Sequence, residues 1–233
     1  MRNAIDLSEL QFDWGFDDTE LKAPPISVRH VRTFRQKSEG VITTICPTCD
    51  TVAWVACSGD MDIVMYQTDG KEIKRIKLDF YIEDMKLTKL KNLLISASQT
   101  NFMKLVTTTS GDVTDFVSVH PYKSCGIHIT SSRDVLVTTK GGTEGKVLKF
   151  SPSGEILREL VLDRASVPLY SSPDRVIQNS LGDIVVLDWK LKCIISVDDS
   201  WRTKFKYYGH DKNSEMYGNF TPSDIVCDKL IIC

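Results

Sequence analysis

Three segments of the chain share one plan: an alternating run, a glycine-containing turn, and a second run. They are residues 65–73 with Gly70, residues 105–113 with Gly111, and residues 149–156 with Gly154. The glycines stand 41 and 43 residues apart. Glycine suits such turns because tight hairpins need a positive φ, which a Cβ penalises. A fourth copy, residues 195–202, replaces the glycine with Asp198, Asp199 and Ser200.

Upstream of each hairpin lies another pair of short apolar runs. Residues 42–46 precede 53–56, residues 84–87 precede 93–97, residues 126–129 precede 134–138, and residues 175–177 precede 183–188. A fifth pair, 224–227 and 229–232, closes the sequence. No long window carries a 3.6-residue period, so the chain reads as all-β. Four strands in each repeat of about 40–50 residues is the arithmetic of a β-propeller blade. A β-sandwich would not require a four-strand cycle with glycine returning at its third turn.

Residues 40–48, 53–55 and 66–73 resemble the opening of the NHL-like six-bladed propellers that end tripartite-motif (TRIM) proteins, a group expanded in invertebrates. Residues 147–150 with Gly154, then 174–176, 185–189 and 222–225, continue the likeness, which spans residues 28–233. The resemblance implies a partner-choosing module in ubiquitin-ligase systems. In that family the RING, B-box and coiled-coil modules supply the transfer chemistry and self-association. This sequence has no cysteine–histidine array and no heptads. The resemblance also makes residues 28–35 the outer strand of a last blade. At about 43 residues per blade, residues 28–233 provide about 4.8 blades, an incomplete ring with an uncovered sheet edge.

The first 27 residues have a different character. Six acids (Asp6, Glu9, Asp13, Asp17, Asp18, Glu20) stand against Arg2 and Lys22, a net charge of −4. The whole chain carries −2, so residues 28–233 carry +2. Pro24 and Pro25 favour extended backbone, and the segment reads as an acidic irregular linker. Behind it, residues 29–37 alternate cations with apolar residues, as an edge strand with a solvated cationic face would. A near-neutral balance argues against a nucleic-acid binder working by bulk charge. No apolar run approaches the roughly 20 residues that span a bilayer, and no leader is evident, so a soluble cytoplasmic protein is expected.

Candidate chemistry is sparse. The seven cysteines read as reduced thiols rather than a disulfide framework. Cys46 and Cys49 have the spacing of a redox or half-zinc motif, but a strand-like run follows them and no second ligand pair exists. The segment Gly141–Lys146 lacks the first glycine and the final hydroxyl of a phosphate loop and is flanked by strands. His30, His120, His128 and His210 lie near no paired nucleophile, and His128 sits inside a strand as a structural residue. Asn219 opens a lone sequon, read as chance. Some six-bladed propellers are metal-dependent lactonases with acids on the channel. Asp84, Asp134 and Asp183 are the acids to consider, but all three fall at strand starts, where turn-capping is commoner. No catalytic residue, metal or cofactor is expected.

Surface recognition is what remains. The loops from each outermost strand to the next innermost strand share one face with the second-to-third-strand loops. That face is expected to carry Tyr81, Asn101, Tyr122, Lys123, Lys140, Tyr170, Trp189 and Lys190, with Asp60, Tyr207 and Tyr208 in similar loops. Aromatics among cations suit a peptide or stacked single-stranded RNA. A protein partner is expected, with RNA as the alternative and no DNA or membrane.

Overall fold

The structure is a computed structural model and describes residues 40–142, 144–161, 167–200, 202–209 and 220–226. The acidic segment, the basic run and the end of the fifth repeat lie outside the described residues. Among the described residues, sixteen strands make up four antiparallel sheets of four, each a meander of consecutive strands. Blade one holds β1 (Ile42–Cys49), β2 (Val52–Cys57), β3 (Asp62–Gln67) and β4 (Glu72–Lys77). Blade two holds β5 (Ile82–Leu87), β6 (Leu93–Ala97), β7 (Phe102–Val106) and β8 (Val113–Ser118). Blade three holds β9 (Lys123–Ile129), β10 (Val135–Gly141), β11 (Glu144–Phe150) and β12 (Ile156–Leu160). Blade four holds β13 (Pro173–Gln178), β14 (Ile184–Asp188), β15 (Cys193–Val197) and β16 (Thr203–Tyr207). The expected four-strand cycle is therefore present four times.

Blades meet through their first strands, β1 against β5, β5 against β9 and β9 against β13, so these four strands line the axis. Three apolar layers hold the blades together. Trp54, Ile63 and Ile76 of blade one pack on Ile82, Met85, Leu93 and Ile95 of blade two. Leu94 and Met103, on the reverse face of blade two, pack on Ile127, Val135, Val137 and Phe150. Leu136 and Val147 then meet Val176, Ile184, Val186 and Ile195 of blade four. A strand buried on both faces favours apolar residues on both, which is why β6, the first half of β10 and most of β14 read as continuous apolar runs rather than alternating ones. The outermost strands β4, β8, β12 and β16 bury one residue or none, and each mixes polar with apolar residues.

The recurring glycines sit where a positive φ is needed: Gly70, Gly111 and Gly154 have φ of 86–91° in the turns between third and fourth strands. In the fourth copy the Asp198 carboxylate does the work instead, accepting the Arg202 backbone N–H at 2.8 Å and its Nε at 2.6 Å. Gly126 answers a different demand. A Cβ there would lie 2.4 Å from the Asp174 carbonyl oxygen, so only glycine lets β9 approach β13 this closely.

The described part of the fifth repeat, residues 220–226, carries no strand. It nevertheless runs beside blade four, with Phe220 edge-on to Tyr207 at 5.4 Å and Asp224 within 3.7 Å of Arg175. At the other end of the arc, Ile42 and Ile45 of β1 are 45% and 53% exposed. Among the described residues no helix is long and apolar enough to cross a membrane.

Candidate functional site

Because the first and second strands of each blade are antiparallel, the residues just before β5, β9 and β13 share one face with the turns after β2, β6, β10 and β14. Seven of the eight expected contact residues lie on that face with some exposure. Tyr170 does not. It is 1% exposed, packed with Leu169, Val176 and Ile184, and its hydroxyl has no hydrogen-bond partner among the described residues. Burial, reinforced by the charge of Asp188, pushes its phenol far above the ordinary value. The residue is inter-blade packing, because the chain dips inward before β13.

The remaining residues fall into two groups. On the blade-two side, half-buried Tyr81 uses its carbonyl to accept the Ser98 N–H at 2.8 Å. Asn101 is fixed by its Nδ2, 2.9 Å from Nδ1 of His120, and its carbonyl accepts the Val119 N–H. On the side of blades three and four, Lys123 and Lys140 stand directly opposite each other in the β9–β10 register, and both are exposed. Tyr122, next to them, lies under the Lys146 ammonium at 4.3 Å from its ring centroid. That is within the range of a cation–π contact.

Lys140 is electrostatically joined to three inner-strand residues that sequence reading missed. Burial works against its charge, but Cys125, Asp174 and Glu83 together hold its ammonium above the ordinary lysine value. Burial pushes the Cys125 thiol up to about 11, with Lys140 partly opposing. Glu83, Cys125 and Asp174 come from β5, β9 and β13, so Lys140 reaches over the axis end of three blades. Their signal in sequence was faint: each is the second or third residue of a strand whose role is set only by closure around an axis.

Trp189 opens the β14–β15 turn and is 65% exposed, with Lys190 exposed beside it. Its backbone N–H donates to the Ser172 carbonyl at 3.1 Å, placing the turn against the start of β13. The preceding Asp188, fully buried, accepts N–H groups from Ser171, Ser172 and Leu191 at 2.7–2.9 Å. The indole is thus held out on a rigid turn.

The three acids considered for a lactonase-like channel do not converge. Asp134 caps its own turn with Ser132 and pairs with Lys149, and Asp183 pairs with Asn179 and Lys204. Both precede second strands, at the end of the blades away from Trp189. Asp84 is no turn-capping residue; it is buried in β5 and joins three blades. Among the described residues no group of three or more His, Cys, Asp or Glu could hold a metal ion. Cys46 is buried and Cys49 exposed at the end of β1, both as free thiols. Gly141 pairs with Glu144 at the end of the β10–β11 hairpin, with Gly142 at φ 61°.

His128 is a structural residue on β9. Burial, with Lys86 adding to it and Asp84 partly opposing, lowers its imidazole to about 4. The unfolded chain binds this proton from about pH 6.5 downward, whereas the folded one resists until about pH 4. Stability should therefore fall as pH drops through that window, by about 3 kcal/mol between pH 7 and pH 4. Urea melts at pH 7 and pH 4 check this, and His128→Gln should remove that share of the loss.

No family model matches the chain, and no curated protein matches it. Solved structures do. One is a catalytically inactive virginiamycin B lyase from Staphylococcus aureus with quinupristin, at 19% identity and TM-score 0.60, covering 75% of this chain and 58% of that one. Another is the Cps50 (Swd1) β-propeller domain from Myceliophteria thermophila, at 16% identity and TM-score 0.57, covering 77% and 62%. A third is a protein of unknown function from Bacteroides caccae, at 14% identity and TM-score 0.56, covering 74% and 62%. The chain spans about three fifths of the length of these neighbours. Identities this low carry the fold alone: the chain is a β-propeller.

Proposed function

We propose that this chain is a non-catalytic recognition propeller that binds an acidic segment of a protein partner at the axis end of blades three and four. The observation that carries the reading is Trp189, 65% exposed on a turn pinned by Asp188, on the face that also bears Lys123, Lys140 and Lys190. An exposed aromatic anchor held rigidly loses little freedom on binding, and flanking ammonium groups select carboxylates. The resemblance to tripartite-motif propellers supports the further reading of a substrate-recognition module in a ubiquitin-ligase system, with the transfer chemistry carried outside these blades.

The runner-up ligand is single-stranded RNA, which the same aromatics and cations could stack and neutralise. The test is an array of acid-rich peptides and a labelled oligouridylate, each probed with the full chain at low and high salt. Acid-rich peptides should bind, and Trp189→Ala should weaken them at least about tenfold, the effect of an interface anchor. Oligouridylate binding that falls steeply with salt and vanishes in a Lys123, Lys140 and Lys190 triple replacement would replace this reading with the RNA one.

A further inference from the structure

We propose that the first occupant of this face is the chain's own acidic segment, residues 6–20, which covers Lys123, Lys140 and Trp189 until a partner displaces it. The inference rests on the recognition reading above and adds a regulator to it.

Three observations point the same way. The first is charge. Across β9 and β10, Lys123 and Lys140 face each other directly, and like charges so placed destabilise a strand pair unless an anion lies between them. Asp174 and Glu83 meet part of that need for Lys140. Lys190 adds a third cation on the neighbouring turn. By contrast, the corresponding loops of blades one and two carry Asp60 and Asp79. The complementary charge is in the chain itself, in the six acids of residues 1–27. Phe12, Trp14 and Phe16 interleave with those acids, the mixture that an exposed indole among ammonium groups would bind.

The second observation is the side of entry. Gly40 sits against Ser58 on the turn after β2, where a Cβ on Gly40 would lie 2.1 Å from the Ser58 carbonyl oxygen. The Ser58 N–H donates to the Val41 carbonyl at 2.7 Å. The chain therefore enters β1 on the same face as Trp189. The third is reach. Even with residues 28–35 held in a last blade, residues 21–27 can extend about 24 Å and residues 6–20 about 50 Å beyond them, against a radius of gyration of about 16 Å for a compact body of about 190 residues. Tethering also raises the local concentration of the segment to the millimolar range, so a weak contact suffices to fill the face.

The experiment uses the full chain and a zero-length carbodiimide, which joins only carboxylates and amines in contact. Cross-links from the carboxylates of residues 6–20 to Lys123, Lys140 or Lys190 are expected, and 0.5 M salt should suppress them, since the Debye length then falls to a few ångströms, about 4 Å. The Lys146–Glu159 pair, at 2.9 Å, serves as the internal control. With that control formed, an absence of such links, links from residues 6–20 to Lys37 alone, or links only between isotopically distinct copies would each overturn the proposal. As an independent readout, replacing the six acids by their amides should tighten binding of an array-selected acidic peptide about fivefold or more. Unchanged affinity would also overturn the proposal. If the cross-links fail while the peptides still bind, the self-contact falls and the recognition reading stands. If the peptides fail as well, both fall.

Discussion

Asp84→Ala should lower the free energy of unfolding by about 3–5 kcal/mol, a loss typical of an emptied buried network. Asp84 is 2% exposed and lies on the inner strand of blade two. Its Oδ1 accepts the Thr44 hydroxyl from blade one at 2.9 Å, its neighbour's Met85 N–H at 2.8 Å and the Lys86 ammonium at 3.1 Å. Its Oδ2 accepts the Ile127 N–H from blade three at 2.8 Å. One carboxylate thus ties the axis strands of three blades. Met85 and Ile127 are both fully buried, so truncation leaves their N–H groups with no water to turn to. Each such orphaned donor costs about 1–3 kcal/mol. Asp84→Asn should fall between alanine and the native residue, because it keeps one acceptor oxygen but turns an amide N–H₂ toward a donor. Thr44→Ala, which removes a single bond, should cost only about 1 kcal/mol. Urea unfolding at pH 7 measures all three. A loss below about 1 kcal/mol for Asp84→Ala would mean the donors find other partners, and the blade-joining role would be wrong.

That role shows where sequence reading stops. The repeat period gave the blade count its basis because a four-strand meander must return its turns at fixed intervals, and Gly70, Gly111 and Gly154 mark one of those turns in three of four copies. The apolar runs at β6, β10 and β14 were equally plain, since strands buried on both faces favour apolar residues on both, with Ser96, Thr138, Thr139 and Asp188 as buried polar exceptions. What could not be read was which acids face inward. Asp84, Asp134 and Asp183 look alike as lone carboxylates at the edge of an apolar run, yet only Asp84 crosses blades. The distinction depends on the rotation of β5 about the axis, a property of closure rather than of local pattern. Tyr170 failed for the opposite reason. Its loop position promised exposure, but the connection before β13 folds inward and buries the ring between blades three and four. Lys123 and Lys140, by contrast, were placed by topology alone. Their mutual opposition, and the link from Lys140 to Glu83, Cys125 and Asp174, emerged only from register.

The turn that presents Trp189 provides the second large effect. Asp188→Ala should cost about 3–4 kcal/mol in global stability. It should also strip hydrogen-exchange protection from the Ser171, Ser172 and Leu191 amides. Those three N–H groups converge on one fully buried carboxylate, two on Oδ2 at 2.7 and 2.9 Å and one on Oδ1 at 2.9 Å. They belong to two different stretches of chain, the approach to β13 and the β14–β15 turn, so the carboxylate fastens one to the other. Asp188→Asn should keep the two serine contacts and lose the Leu191 one, since the amide turns its single acceptor oxygen toward the two serine donors and its N–H₂ toward Leu191. Trp189→Ala makes the contrasting case. Its side chain is exposed, so stability should stay within about 0.5 kcal/mol of the native protein while acidic-peptide binding weakens. The two variants separate scaffold from anchor: Asp188→Ala should lose protection, stability and binding together, and Trp189→Ala should lose binding alone. Retained protection at Leu191 in Asp188→Ala would show that the turn holds its shape by other means, and the indole would then owe its position to the strand ends and not to the buried carboxylate.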